Sequence, residues 1–150
     1  MTLQEIITII EGTAAAQPAV NMIVRNDVFR LNGCPDAKYA AFAWLQRVHR
    51  AALDDGLIHY GFTLFFVDRL AHDLSNQIDI QSQGVQVLGN IIRKLADLGI
   101  EADEGWQIQA FNQRFLDECA GVFANVTFSV PENFVCAETF PESNDNIYLY

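Results

Sequence analysis

Ile58-His59-Tyr60-Gly61-Phe62-Thr63-Leu64-Phe65-Phe66-Val67 is the most strand-like stretch of the chain. Aromatic and β-branched residues fill it, and its near-continuous apolarity is the pattern of a strand covered on both faces. Asp54-Asp55-Gly56 stands directly before it, a cluster that favours a hairpin turn, with Gly56 able to take the left-handed position of a three-residue loop. The spacing therefore predicts a long β-hairpin with arms Tyr39–Ala51 and Leu57–Leu70. Its length predicts a tip that projects from the sheet.

Working outward, residues 2–16 read as a helix. Thr2 and Glu5 have capping-box spacing, Leu3, Ile6, Ile7, Ile9 and Ile10 make a broad apolar face, and Pro18 ends the element. Val20–Arg25 and Val28–Leu31 flank Asn26-Asp27 and read as a small hairpin. Residues 32–36 form a loop. After the long hairpin, Ala71–Asn76 is polar, with Ser75 or Asn76 as a helix cap. Residues 77–98 carry apolar positions at three- and four-residue spacing and predict the long helix, closed by Gly99. Gly84 and Gly89 weaken that helix but permit close approach to a sheet. Trp106–Ala110 alternates as a half-buried strand does, 112–119 is ambiguous, and Ala120–Val130 alternates again. The order predicts an α+β fold: a mostly antiparallel sheet with a long hairpin, packed on an N-terminal and a central helix. Residues 1–130 form one domain, and 131–150 form an extended arm.

The bulk numbers constrain the partners. Hydrophobic residues make up 51% and charged residues only 19% of 150 positions, and the mean hydropathy is +0.11. A single domain so supplied has apolar surface to spare for an interface. Nine basic residues face nineteen acidic ones, and Arg114 is the last basic residue. That balance opposes tight nucleic-acid binding. Three scattered cysteines, Cys34, Cys119 and Cys136, make no CxxC and fit buried thiols in a reduced compartment. The first residues carry Glu5 and Glu11 and do not form a signal peptide, and no apolar run suits a membrane span.

The reactive side chains form no catalytic, cofactor or metal pattern. His49 and His59 lie on the two arms of one hairpin, where they could approach each other. A metal site needs a further ligand, and Asp54 and Asp55 at the tip are expected to lie too far along it. Asp54-Asp55 and Asp103-Glu104 are adjacent turn acids and read as solvated. The sequence holds no GxSxG, P-loop or GxGxxG, and no histidine stands in a known family spacing with Cys119. The aromatics Tyr60, Phe62, Phe65 and Phe66 lack interleaved cations and read as core strand rather than a base-stacking platform.

The segment from Pro131 onward differs from an ordinary solvated tail. Phe134, Val135, Phe140, Ile147, Tyr148, Leu149 and Tyr150 need burial, on this domain or on a neighbour. With Asp54, Asp55 and Gly56 at the hairpin tip, Phe134, Val135, Phe140, Tyr148, Leu149 and Tyr150 are the candidate subunit contacts.

The element order resembles the phage tail-terminator and neck-ring family of α+β folds. Tyr60–Leu70, Val87-Leu88-Gly89-Asn90-Ile91-Ile92-Arg93 and Phe115–Val130 are more similar still to a ring protein of crAss-like phages, found between portal and tail. These stretches are core-like, and the resemblance covers most of residues 2–130. It implies a structural virion protein with no enzymatic activity and no cofactor. It would form a cyclic homo-oligomer, stacked on neighbouring portal, neck or tail rings around a DNA channel. The arm has no place in that pattern. The competing expectation is an acidic cytoplasmic binding or immunity-type module.

Overall fold

The computed structural model describes residues 1–26, 40–52, 54–71, 73–114, 118–132 and 134. The elements run α1 (Leu3–Ala15), β1 (Met22–Arg25), β2 (Ala41–Ala52), β3 (Leu57–Arg69), α2 (Gln77–Asp97), β4 (Glu101–Ala102), β5 (Gln107–Arg114) and β6 (Glu118–Pro131). The fold is α+β, with a mixed, mostly antiparallel six-stranded sheet and two helices.

The quoted stretch sits at the centre of the sheet. β3 pairs with β2 on one side and with β6 on the other, both antiparallel. The β3–β6 ladder runs unbroken from Leu57↔Pro131 to Arg69↔Cys119. The Asp54–Gly56 turn forms as expected, with Gly56 at φ +65°. The tip does not project from the sheet, however. β6 reaches as far as β3, and the Glu132 N–H donates to the Gly56 carbonyl at 3.0 Å. A neighbouring strand, invisible to a reading of the hairpin alone, braces it.

β1 has a partner that the sequence reading did not anticipate. It pairs with β2 in parallel, Met22↔Ala41 to Arg25↔Trp44. The second expected arm, residues 28–31, lies outside the described residues. β4 and β5 both pair with β6 and lie end to end along its outer edge. β5 and β6 also take up residues 112–114 and 118–119, which the sequence left ambiguous.

Alternation assigns the faces. Phe42, Trp44, Phe62, Leu64, Phe66, Val122, Val126 and Phe128 point to one side and pack against Ile6 and Ile10 of α1 and Leu88, Ile91 and Leu95 of α2. Phe42, Phe62, Phe66 and Phe128 are fully buried, each contributing about 1.5–3 kcal/mol by leaving water. A smaller cluster of Val24, Ala41, Ala43, Val67 and Cys119 occupies the other side, with Phe65 and Phe111 packed on it. Both sides of β3 are thus apolar, as its composition predicts.

Both helices end as their sequences dictate. Thr2 and Glu5 form the reciprocal capping box of α1. α2 closes in a Schellman pair, Ile100 N–H to the Leu95 carbonyl and Gly99 N–H to that of Ala96, with Gly99 at φ +83°. Leu98 holds the cap position and Gly99 the one after it. Asn76 precedes α2 without capping it through its side chain. That amide instead accepts from Ala71 N–H and donates to the Arg69 carbonyl, closing the loop after β3. Gly84 permits the close approach of α2: a Cβ there would stand 2.5 Å from Val122 Cγ2. Gly89 has open space instead.

Candidate functional site

The residues expected to contact other subunits converge in part on one corner of the sheet. Asp55 Oδ1 accepts from the Leu57 N–H at 2.9 Å, an Asx turn that shapes the tip. Its Oδ2 lies 3.0 Å from His59 Nε2, and His59 Nδ1 lies 2.8 Å from Ser129 Oγ on β6. The Met1 amino group donates to the Pro131 carbonyl, and the Tyr60 hydroxyl donates to the Met1 carbonyl. Phe134 stands exposed just beyond. The hairpin tip, the end of β6 and the start of α1 are therefore tied together around Pro131 and Glu132. Val135, Phe140, Tyr148, Leu149 and Tyr150 lie outside the described residues.

Asp55 reaches His59, which corrects the expectation that the tip acids lie too far along the hairpin. The i,i+4 spacing across the turn was the available signal. Ser129 was beyond reach of local reading, because only the β3–β6 register places it opposite His59. The Leu57 N–H and then His59 hold the Asp55 carboxyl below its ordinary range. With Nε2 protonated, the imidazole donates to Asp55 and accepts the Ser129 hydroxyl proton at Nδ1.

Aspartate, histidine and serine in a row have the composition of a hydrolytic triad, but Ser129 sits within a regular antiparallel ladder rather than at a turn facing a cleft. None of the grooves described below is lined by it, His59 or Asp55. Acyl transfer needs a site that meets both nucleophile and oxyanion donors. The row ties the hairpin turn and β3 to β6.

His49 and His59 do not meet. His49 pairs with Tyr60 and His59 with Arg50, so the two imidazoles face opposite sides of the hairpin. A one-residue bulge between Gln46 and His49 sets that phase. His49 lies against the rings of Tyr60 and Phe62, and burial pushes its pKa down. Among the described residues no group of three or more His, Cys, Asp or Glu could hold a metal ion. His72 lies outside them.

Two grooves flank the opposite edges of the sheet. One, of about 680 Å³, lies between α1 and the β1/β2 edge, lined by Leu3, Ile7, Glu11, Arg25, Trp44 and Gln46. Arg25 Nε pairs there with Glu11 Oε2 at 2.6 Å. The other, of about 540 Å³, lies between α2 and the β4 edge, lined by Gly89, Ile92, Arg93, Glu101, Glu104 and Trp106. Nearby on α2, Ile78 is 71% and Val85 43% exposed. No helix is long and apolar enough to cross a membrane among the described residues. No protein-family model matches the chain, and no curated protein matches it.

Proposed function

We propose that this chain is a structural ring subunit of a phage particle, placed between portal and tail around the DNA channel. The observation that carries the reading is a set of large apolar side chains left exposed on the described domain, two of them, Ile78 and Val85, one heptad apart on α2. Ile78, Val85, Leu98 and Phe134 are large, exposed and unneeded by the core. Unspent apolar surface marks an interface. The virion setting rests on the resemblance of Tyr60–Leu70, Val87–Arg93 and Phe115–Val130 to neck-ring proteins. In this reading the chain performs no reaction and needs no cofactor. Its partners are copies of itself and the adjoining portal, neck or tail rings.

Electron microscopy of purified particles, with the chain tagged, tests the placement. A ring of tagged subunits at the portal–tail junction is expected, and absence of the chain from particles overturns the reading. Light scattering on the isolated protein separates the competing module: a discrete acidic monomer that captures a basic host protein favours a binding or immunity role.

A further inference from the structure

We propose that adjacent copies associate head to tail, the β1/β2 edge of one against the β4/β5 edge of the next. This rests on the ring reading and assigns its interface.

The first argument is register. Arg50 pairs with His59, His59 with Ser129, and Ser129 with Glu101. These four residues form one row across the sheet, with Arg50 at one edge and Glu101 at the other. Both end residues are exposed. A second row runs Arg25, Trp44, Leu64, Ala124, Ile108. Copies related by a rotation axis roughly parallel to the strands stay level with one another. Arg50 of one copy then meets Glu101 of the next at the same height, and the Trp44 groove meets the flank of β5 and α2.

The second argument is charge. The chain is strongly acidic, yet Arg25, Arg47 and Arg50 gather at one edge, while Glu101, Asp103 and Glu104 gather at the opposite one. Arg25 is held by Glu11 and Arg93 stands in the groove beside Glu101, so the complementarity rests on Arg47 and Arg50 at one edge against Glu101, Asp103 and Glu104 at the other. Opposite charges level across an interface fix register and suppress wrong pairings.

The third is shape. Both edges carry a groove, but the linings differ: Leu3, Ile7 and Trp44 floor the one beside α1, whereas Ile92 and Trp106 line the one beside α2, the helix on which Ile78 and Val85 stand exposed. The two edges are therefore unlike patches. They suit a heterologous contact, which closes into a ring when the rotation allows. Among the described residues no strand pairs with β5 beyond β6, or with β2 beyond Trp44 on its outer side, where only the Asn26 side chain accepts from the Gln46 N–H.

The test is a charge exchange. Arg50→Glu, Glu101→Arg and the double variant are compared with the unaltered chain by sedimentation velocity over rising concentration. Circular dichroism checks that each folds. Each single reversal is expected to weaken association by about tenfold or more, and the double variant to recover to within about threefold of the unaltered chain. Val85→Glu, an exposed site, should weaken association without unfolding the domain. Association that is indifferent to the single reversals overturns this interface while leaving a ring built otherwise. Singles that weaken without rescue in the double overturn the matched register. An unaltered chain that stays monomeric at every concentration also overturns the interface as stated; the ring reading is then decided separately in purified particles.

Discussion

His59 Nε2 stands 3.0 Å from Asp55 Oδ2 across the β2–β3 turn, and the same ring holds Ser129 of β6 through Nδ1. The contact joins a turn to a strand that arrives some seventy residues later.

This relationship carries a pH dependence whose sign follows from Asp55. Hydrogen bonding to Leu57 N–H and to His59 lowers the Asp55 pKa in the fold below its ordinary 3.8. A depressed carboxylate adds stability that is present above the unfolded pKa and lost as pH falls through the folded one. Asp55→Asn keeps an acceptor for the Leu57 N–H, removes the charge and puts an amide NH2 where Oδ2 faced His59 Nε2. The variant should be less stable than the unaltered chain at neutral pH. The difference should shrink as pH falls below 3.8. Urea midpoints measured down to about pH 2 check this. A gap that stays constant with pH would show that the charge does not matter.

Gly84 and Gly89 lie five residues apart on α2 and should respond in opposite directions to alanine. Alanine gains about 1 kcal/mol over glycine inside a helix. At Gly89 a Cβ meets nothing within 4 Å, so most of that gain should appear as stability. At Gly84 the Cβ would press on Val122 Cγ2 at 2.5 Å and Phe66 Cδ1 at 3.0 Å, both on buried side chains. Overpacking of this kind costs about 1–3 kcal/mol. Gly84→Ala should therefore lower the thermal midpoint and Gly89→Ala should raise it. Equal shifts for the two would mean that α2 does not sit on the sheet this closely.

How much of this was legible depended on range. Thr2 with Glu5, Gly56 in its turn and Gly99 after α2 act through neighbours within a few residues, and each sits where the sequence put it. The alternation of Ala120–Val130 likewise predicts its inward face. What the sequence did not show needed distant partners. The β1 stretch looked like half of a local hairpin, yet its described partner is Ala41–Trp44, reached only after the intervening chain. β4 is two residues long and has no period of its own. The bulge before His49 changes which face each later β2 residue takes, and it shows only in register with Gly61, where a Cβ would crowd the Val48 carbonyl. For the same reason the sequence marks the tip residues as contacts but does not place them beside Ser129 and Pro131.

Cutting the chain after Phe134 separates the arm from the fold. The Pro131 carbonyl and the Glu132 N–H, which bond Met1 and Gly56, are retained. Among the described residues the main core extends no further than Val130. The shortened chain should keep its helical and strand signals and a thermal midpoint within a few degrees of the full chain. It should lose incorporation into particles, because the aromatics beyond Phe134 are then absent. Loss of folding on truncation would instead make that segment part of the domain, and the proposed assembly role of Val135, Phe140, Tyr148, Leu149 and Tyr150 would fall.

The chain should not bind duplex DNA tightly, even where a ring of it encircles DNA. Phosphate binding draws its free energy from Lys and Arg displacing counterions, so it tracks basic clusters rather than isolated cations. The described cations are poorly placed for that work. Arg25 is paired with Glu11, and Arg93 lies 3.6 Å from Asp97 on the same face of α2. Arg47 and Arg50 stand on the open part of β2, the edge assigned above to a neighbour's acids. A ring also multiplies the formal −10 of each copy. Its field repels the duplex within about a Debye length, ~8 Å at physiological salt. Repulsion at short range lets a genome pass without adhering to the wall. An anisotropy titration at about 150 mM salt should show no saturable binding at micromolar protein. Arg50→Glu should leave that result unchanged while it weakens self-association. Sub-micromolar affinity that falls with added salt would mean that the arginines face the channel, and the chain would then be a DNA-gripping component rather than a passive conduit.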